Sequence, residues 1–121
     1  MTGATGFVGK AVVVQVLRHV PDIKRVYIPA RERRLKSGDV QSAESRLSQV
    51  VASSAFDVLR KEWGERFDER VLEKLAVVAW KGLEYEGLGM DSAERARLQD
   101  EVDIVISSAA TVVFDEPIDM A

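Results

Sequence analysis

The sequence has 121 residues, 46% hydrophobic and 31% charged, with a formal net charge of −3 and no cysteine. That balance supports one small folded domain, or part of a larger one, and excludes a disordered chain. It also excludes disulfides and cysteine nucleophiles, and the mild acidity argues against nucleic acid as the main partner.

The chain opens Met1-Thr2-Gly3-Ala4-Thr5-Gly6-Phe7-Val8-Gly9 and runs straight into an apolar-periodic stretch. Val8, Val12, Val16, Leu17 and Val20 predict one face of a helix that Pro21 and Asp22 end. Lys24 to Ile28 predicts a short buried strand closed by Pro29, and the polar, basic stretch from Ala30 to Asp39 predicts a loop. Ala43, Leu47, Val50 and Val51 carry a second helical pattern. Ser54-Ala55-Phe56-Asp57 has the form of a capping box with Asp in place of Glu, opening a helix with Leu59 and Trp63 on one face. A further short helix from Asp68 to Lys74 is expected to turn Val71 and Leu72 inward. Leu75 to Trp80 is a continuous apolar run of the kind that forms a buried parallel strand. Gly82, Gly87 and Gly89 mark a loop, Asp91 starts a helix reaching about Gln99, and Val102 to Ile106 predicts a last strand.

Helices alternating with strands predict a parallel α/β fold, Rossmann-like and doubly wound. The strand expected before the glycine turn is represented by Met1 and Thr2 alone. The expectation is therefore an incomplete sheet, with its first strand truncated and its C-terminal strands absent. In the order 3-2-1-4-5-6 the first strand is central. Without it, the second and fourth strands are expected to expose backbone edges or to pair directly. No stretch approaches the roughly 18 consecutive apolar residues of a membrane span. The glycine-rich start is not an export signal, so a cytoplasmic location is expected.

Gly3, Gly6 and Gly9 give the spacing G-x-x-G-x-x-G. In dinucleotide folds one such glycine permits a tight turn, another lets the backbone approach a pyrophosphate, and the last lets the helix pack against the strand. The amides and dipole at the helix start then face the phosphates. The competing reading is three glycines in an ordinary loop. Arg31 follows the expected second strand, where an arginine accommodates the 2′-phosphate of NADP(H) and an acidic residue would bond the ribose hydroxyl of NAD(H). Glu32 stands beside it, and Arg33, Arg34 and Lys36 add positive charge, so a solvated basic loop is the alternative.

Four segments resemble the fatty acyl-CoA reductases, of the extended short-chain dehydrogenase group. They are Thr2 to Lys10, Val20 to Tyr27, the "S-x-x-F-D-x-L-R" helix at Ser54 to Arg60, and Val105 to Pro117, similar to an "H-S-A-A-T-V-x-F-D-E-P" segment. The resemblance covers essentially the whole chain, and the last segment is the most specific. It implies reduction of a fatty acyl-CoA thioester with NADPH, to the aldehyde or the primary alcohol. It places Gly3, Thr5, Gly6, Phe7, Val8 and Gly9 along the pyrophosphate, Arg31 at the 2′-phosphate, and Ala109 and Ala110 along the cofactor. Two departures stand out. Trp80-Lys81-Gly82-Leu83 lacks the aspartate that the family carries beside the adenine, and Ser107 replaces a common histidine.

Reduction in this superfamily relies on a Tyr-x-x-x-Lys pair, in which the lysine tunes the tyrosine as general acid. Here Arg31 stands four residues after Tyr27, and Gly89 four after Tyr85, so no catalytic residue is assigned. His19 reads as an exposed helix-end residue, Trp63 and Trp80 as packing, and Asp115 and Glu116 as a solvated pair. No set of residues has metal-ligand spacing. A thioester reductase domain acting on a carrier protein and a non-catalytic NADP-binding module remain as alternatives.

Overall fold

The computed structural model describes residues 1–110. Helix α1 (Phe7–His19) leads into strand β1 (Val26–Ala30). A small antiparallel ribbon follows, made of β2 (Arg33–Arg34) and β3 (Val40–Gln41). Helices α2 (Ala43–Ala52), α3 (Asp57–Trp63) and α4 (Phe67–Lys74) then precede β4 (Leu75–Ala79) and the final helix α5 (Ser92–Glu101).

β1 and β4 pair in parallel, with Val26 opposite Leu75 and Ala30 opposite Ala79. On the other side of β1, the amino group of Met1 donates to the carbonyl of Tyr27 at 2.7 Å. The amide of Thr2 donates to Ile106 O at 2.9 Å, and Thr2 forms a parallel bridge with Ser107. The spatial order is therefore β4, β1, Met1–Thr2, then the segment around Ser107. This is the parallel α/β arrangement of a Rossmann-like fold. Direct pairing of the second and fourth strands does not occur, because two residues suffice to stand between them.

The last strand expected at Val102 to Ile106 is not formed. Val102 caps α5 through its amide, which donates to Leu98 O at 2.9 Å. Ile104 and Val105 are 77% and 78% exposed. A strand needs a ladder, and the neighbour here offers only Thr2, so pairing is confined to one bridge. Pro29 lies inside β1 rather than after it. Alternate residues of a strand bond to opposite sides. Ile28 therefore faces β4, and Pro29, like Tyr27, faces the Met1–Thr2 side, where its missing amide leaves no gap in the β1–β4 ladder.

Fully buried Ile28, Val13, Val78, Phe56 and Leu59 form the centre of the core. Each such side chain contributes about 1.5–3 kcal/mol relative to exposure. The buried face of α1 is Gly9, Val13, Val14 and Leu17. It is not the expected face, since Val8 and Val20 are 62% and 46% exposed. The cause is Gly9, which lies against the Gly3–Ala4 backbone and fixes the helix so that positions four and eight residues later point inward.

Other boundaries shift for local reasons. Ser54 does not cap a helix: Ser54–Phe56 is a short 3₁₀ turn, and α3 starts at Asp57 without a side-chain cap. Asp57 instead pairs with Arg60 at 2.5 Å. Capping occurs at Ser42, which accepts from the amide of Ser45 at 3.1 Å. It also occurs at Asp91, which accepts from Ala93 and Glu94. Leu72 is 79% exposed, while Val71 is buried.

Candidate functional site

The glycine turn lies where α1 begins, beside the C-terminal end of β1. Its three glycines have three different surroundings. Gly3 has φ +74°, and a Cβ there would stand 2.6 Å from the amide nitrogen of Ala109. It therefore makes the turn and lets the segment after Ser107 approach. A Cβ on Gly9 would stand 2.6 Å from the carbonyl carbon of Gly3 and 2.7 Å from Ala4 Cα. That position is the close helix-to-turn contact. Gly6 is exposed, with φ −84° as the residue before α1, and a Cβ there would meet only Gly3 O, at 3.3 Å. Its outer face is open to a ligand.

Gly6 donates to Gly3 O at 3.0 Å and closes the turn. Lys10 donates to Gly6 O at 3.0 Å, the first α-helical bond of α1. The amides of Phe7, Val8 and Gly9 precede that bond, no side chain caps the helix, and its first turn carries no acid. An uncapped helix start without a carboxylate suits an anion, with each favourable charge contributing about 0.3–1 kcal/mol in exposed settings. Phe7 is 93% exposed, so its ring offers an uncovered apolar surface at the mouth of the turn.

Ala109 reaches this turn directly. Its amide donates to Thr2 Oγ1 at 3.4 Å, and Ser108 Oγ donates to Thr2 O at 3.3 Å. Ala110 is exposed just beyond. Thr111, Asp115 and Glu116 lie outside the described residues.

Arg31 follows β1 directly and is joined to the turn by a residue that sequence reading missed. Arg46, on the first turns of α2, donates through Nη1 to Arg31 O at 2.9 Å and through Nη2 to Thr5 Oγ1 at 3.3 Å. Burial, followed by the nearby guanidiniums of Arg33 and Arg31, holds its pKa below the ordinary arginine range. The signal was available: Ala43, Arg46, Leu47 and Val50 share a helix face, and a cation in that apolar stripe needs a reason to be there. Glu84, also missed, sits 3.7 Å from Arg31 as a half-exposed ion pair.

The two tyrosines are not paired with lysine. Tyr27 donates from its hydroxyl to Glu101 and lies under the guanidinium of Arg97, 5.1 Å being typical of such contacts elsewhere in the fold and 5.3 Å the distance here. It anchors α5 to the sheet. His19 is exposed at the end of α1. Trp63 stacks obliquely on Phe67 with centroids 6.2 Å apart. Among the described residues, no group of three acidic or histidine side chains could hold a metal ion, and no helix is long and apolar enough to cross a membrane.

The family model described as male sterility protein, an NAD-binding domain, matches residues 1–121. The chain is 36% identical to the probable fatty acyl-CoA reductase 5 of Arabidopsis thaliana and 37% identical to fatty acyl-CoA reductase 8 of the same plant, over 99% of its length in each case. It is 32% identical, over its whole length, to the alcohol-forming fatty acyl-CoA reductase of Simmondsia chinensis. The chain spans 24% of the length of each of these three relatives.

Proposed function

Because the chain belongs to the male sterility protein family of NAD-binding domains, we propose that it is the cofactor-binding part of an NADPH-dependent fatty acyl-CoA reductase, which converts a fatty acyl-CoA to the aldehyde or primary alcohol. The observation that carries this reading is the glycine turn. Gly3 and Gly9 occupy positions that a Cβ would fill with backbone clashes, while Gly6 leaves its outer face open. That division of roles is what close approach of a pyrophosphate requires.

In this reading Gly3, Thr5, Gly6, Phe7, Val8 and Gly9 line the pyrophosphate. The helix-start amides supply hydrogen bonds and the dipole supplies a favourable field. Ala109 and Ala110 flank the cofactor from the other side of the turn, where small side chains leave room. Arg31 takes the 2′-phosphate and so selects NADPH over NADH. Bound in this way, the reduced nicotinamide supplies the hydride for the acyl thioester carbonyl. This chain's residues bind and orient it, and no proton donor for the carbonyl is assigned among them.

Equilibrium titration of the chain with NADPH and with NADH tests the cofactor assignment. The expected outcome is saturable binding with NADPH preferred. Failure to bind either removes the reading. Acyl-CoA-dependent oxidation of NADPH by the gene product that carries this segment tests the activity. Binding without oxidation there would favour a non-catalytic NADP-binding module.

A further inference from the structure

We propose that Arg46 is a positioning residue for cofactor selectivity, a strut that holds the Arg31 backbone at a fixed distance from the phosphate turn. The inference rests on the reading that Arg31 meets the 2′-phosphate. The geometry is a fork. One guanidinium nitrogen donates to Arg31 O at 2.9 Å and the other to Thr5 Oγ1 at 3.3 Å. The two acceptors belong to segments far apart in sequence, one after β1 and the other within the turn before α1. Arg46 itself is on neither, but on α2, whose packing against β1 and β4 makes it a rigid base.

The surrounding charge argues that this strut serves a ligand and not merely the fold. Arg31 and Arg33 lie close enough to Arg46 to repel its charge. Among the described residues, no carboxylate lies within ion-pair distance of Arg46. A strut built only for stability would avoid gathering like charges around a half-buried cation. An anion held between Arg31 and the turn relieves that repulsion. The cofactor's pyrophosphate and 2′-phosphate must both be met at once, so their recognition depends on the spacing that Arg46 sets.

Geometry also separates this role from that of a simple cation. A guanidinium presents two donors in a fixed planar fork, whereas lysine is a point charge that cannot hold both acceptors in the same way. Arg46→Lys retains charge and loses the fork.

The test is titration of the gene product that carries this segment, and of its variants, with NADPH and with NADH, read as the ratio of the two affinities, with thermal unfolding measured in parallel. Arg46→Lys and Arg46→Met are both expected to lower the NADPH preference by about tenfold, the effect of loosening a charge-assisted contact. Wild-type preference retained in Arg46→Lys, while Arg31→Ala abolishes it, overturns the inference and leaves the cofactor reading intact. No preference in the wild-type chain removes the reading on which the inference rests, and the inference with it. If the Arg46 variants fail to fold, Thr5→Val decides, because it cuts one arm of the fork and leaves Arg46 in place. A fall in the ratio supports the strut. An equal loss for both cofactors, as expected if Thr5 touches only the shared pyrophosphate, overturns it.

Discussion

Replacing Gly9 and Gly6 in turn by alanine separates packing from ligand approach, because the same methyl group meets different surroundings at the two sites. At Gly9 the added Cβ would lie 2.6 Å from the Gly3 carbonyl carbon, and ordinary contact begins at 3.4 Å. The Gly3 carbonyl oxygen would lie closer still, so the helix start must retreat by more than the roughly 0.8 Å that the carbon alone requires, and overpacking of this kind costs about 1–3 kcal/mol. Alanine recovers at most about 1 kcal/mol of helix propensity over glycine. A clash against backbone atoms falls at the upper end of that range, so the net expectation for Gly9→Ala is a loss of about 2 kcal/mol, a fall of several degrees in Tm for a chain of this size. The amides of Phe7 and Val8 move with the helix, so NADPH binding weakens as well. At Gly6 the Cβ meets only Gly3 O, at 3.3 Å, and φ is −84°. Stability should change little, while NADPH affinity falls because the methyl projects into the open face. Thermal unfolding and NADPH titration of both variants read the two effects. A Gly9→Ala chain as stable as wild type, or a Gly6→Ala chain that binds NADPH equally well, would refute the division of roles.

Phe56→Ala should cost about 3–5 kcal/mol, since the ring is fully buried between α1, α2 and α3; urea denaturation measures it. Asp91→Ala removes the acceptor for Ala93 and Glu94 amides and should cost α5 about 1 kcal/mol, seen as faster amide exchange in its first turn. The Tyr27 hydroxyl, and after it Arg97, hold the Glu101 carboxyl below the ordinary carboxylate range. The contact therefore stabilises the fold above the unfolded-state pKa of that carboxyl, and the contribution is lost as pH falls through the lower folded value. Tyr27→Phe should raise the Glu101 titration midpoint by NMR and narrow the stability difference from wild type at acid pH. Glu84→Gln frees Arg31 from its carboxylate partner and should raise the NADPH preference by up to about fivefold, as an exposed pair carries roughly 0.2–1 kcal/mol.

The glycine turn, the fold class and most helices were legible because they depend on local signals: glycine spacing, caps and apolar runs. The face of α1 was not. Val12, Val13, Val14 and Val16 are chemically equivalent, and the orientation is decided by Gly9 touching Gly3 and Ala4 across the turn. The expected strand at Val102 to Ile106 failed because a strand is a property of its neighbour as much as of its residues, and Thr2 provides one bridge. The capping box at Ser54 failed because Asp57 turned to Arg60. The spacing marks Arg46 as a cation on the apolar face of α2, but the two distant segments that it joins are visible in the fold alone. The adenine-side departure at Lys81-Gly82 is accompanied by Glu84 reaching toward Arg31, a contact that required the fold to be known.

The charge distribution carries the functional reading one step further. The chain as a whole is acidic, at −3, yet Arg31, Arg33 and Arg46 gather beside an uncapped helix start that has no acid in its first turn. A folded chain with this composition could screen those guanidiniums with its own carboxylates. Among the described residues it does so at Arg31, through the half-exposed Glu84, and at 3.7 Å that pair is loose. Positive charge that the other described carboxylates do not pair with, at one end of a parallel sheet and next to glycines that keep the backbone bare, suits the proposed ligand with two separated phosphate groups. Glycine spacing admits the shared pyrophosphate of either nicotinamide cofactor. On the proposed reading the arginines meet a second phosphate, and selectivity is then expected to respond to Arg31, Arg46 and Glu84 while Gly6 affects both cofactors alike.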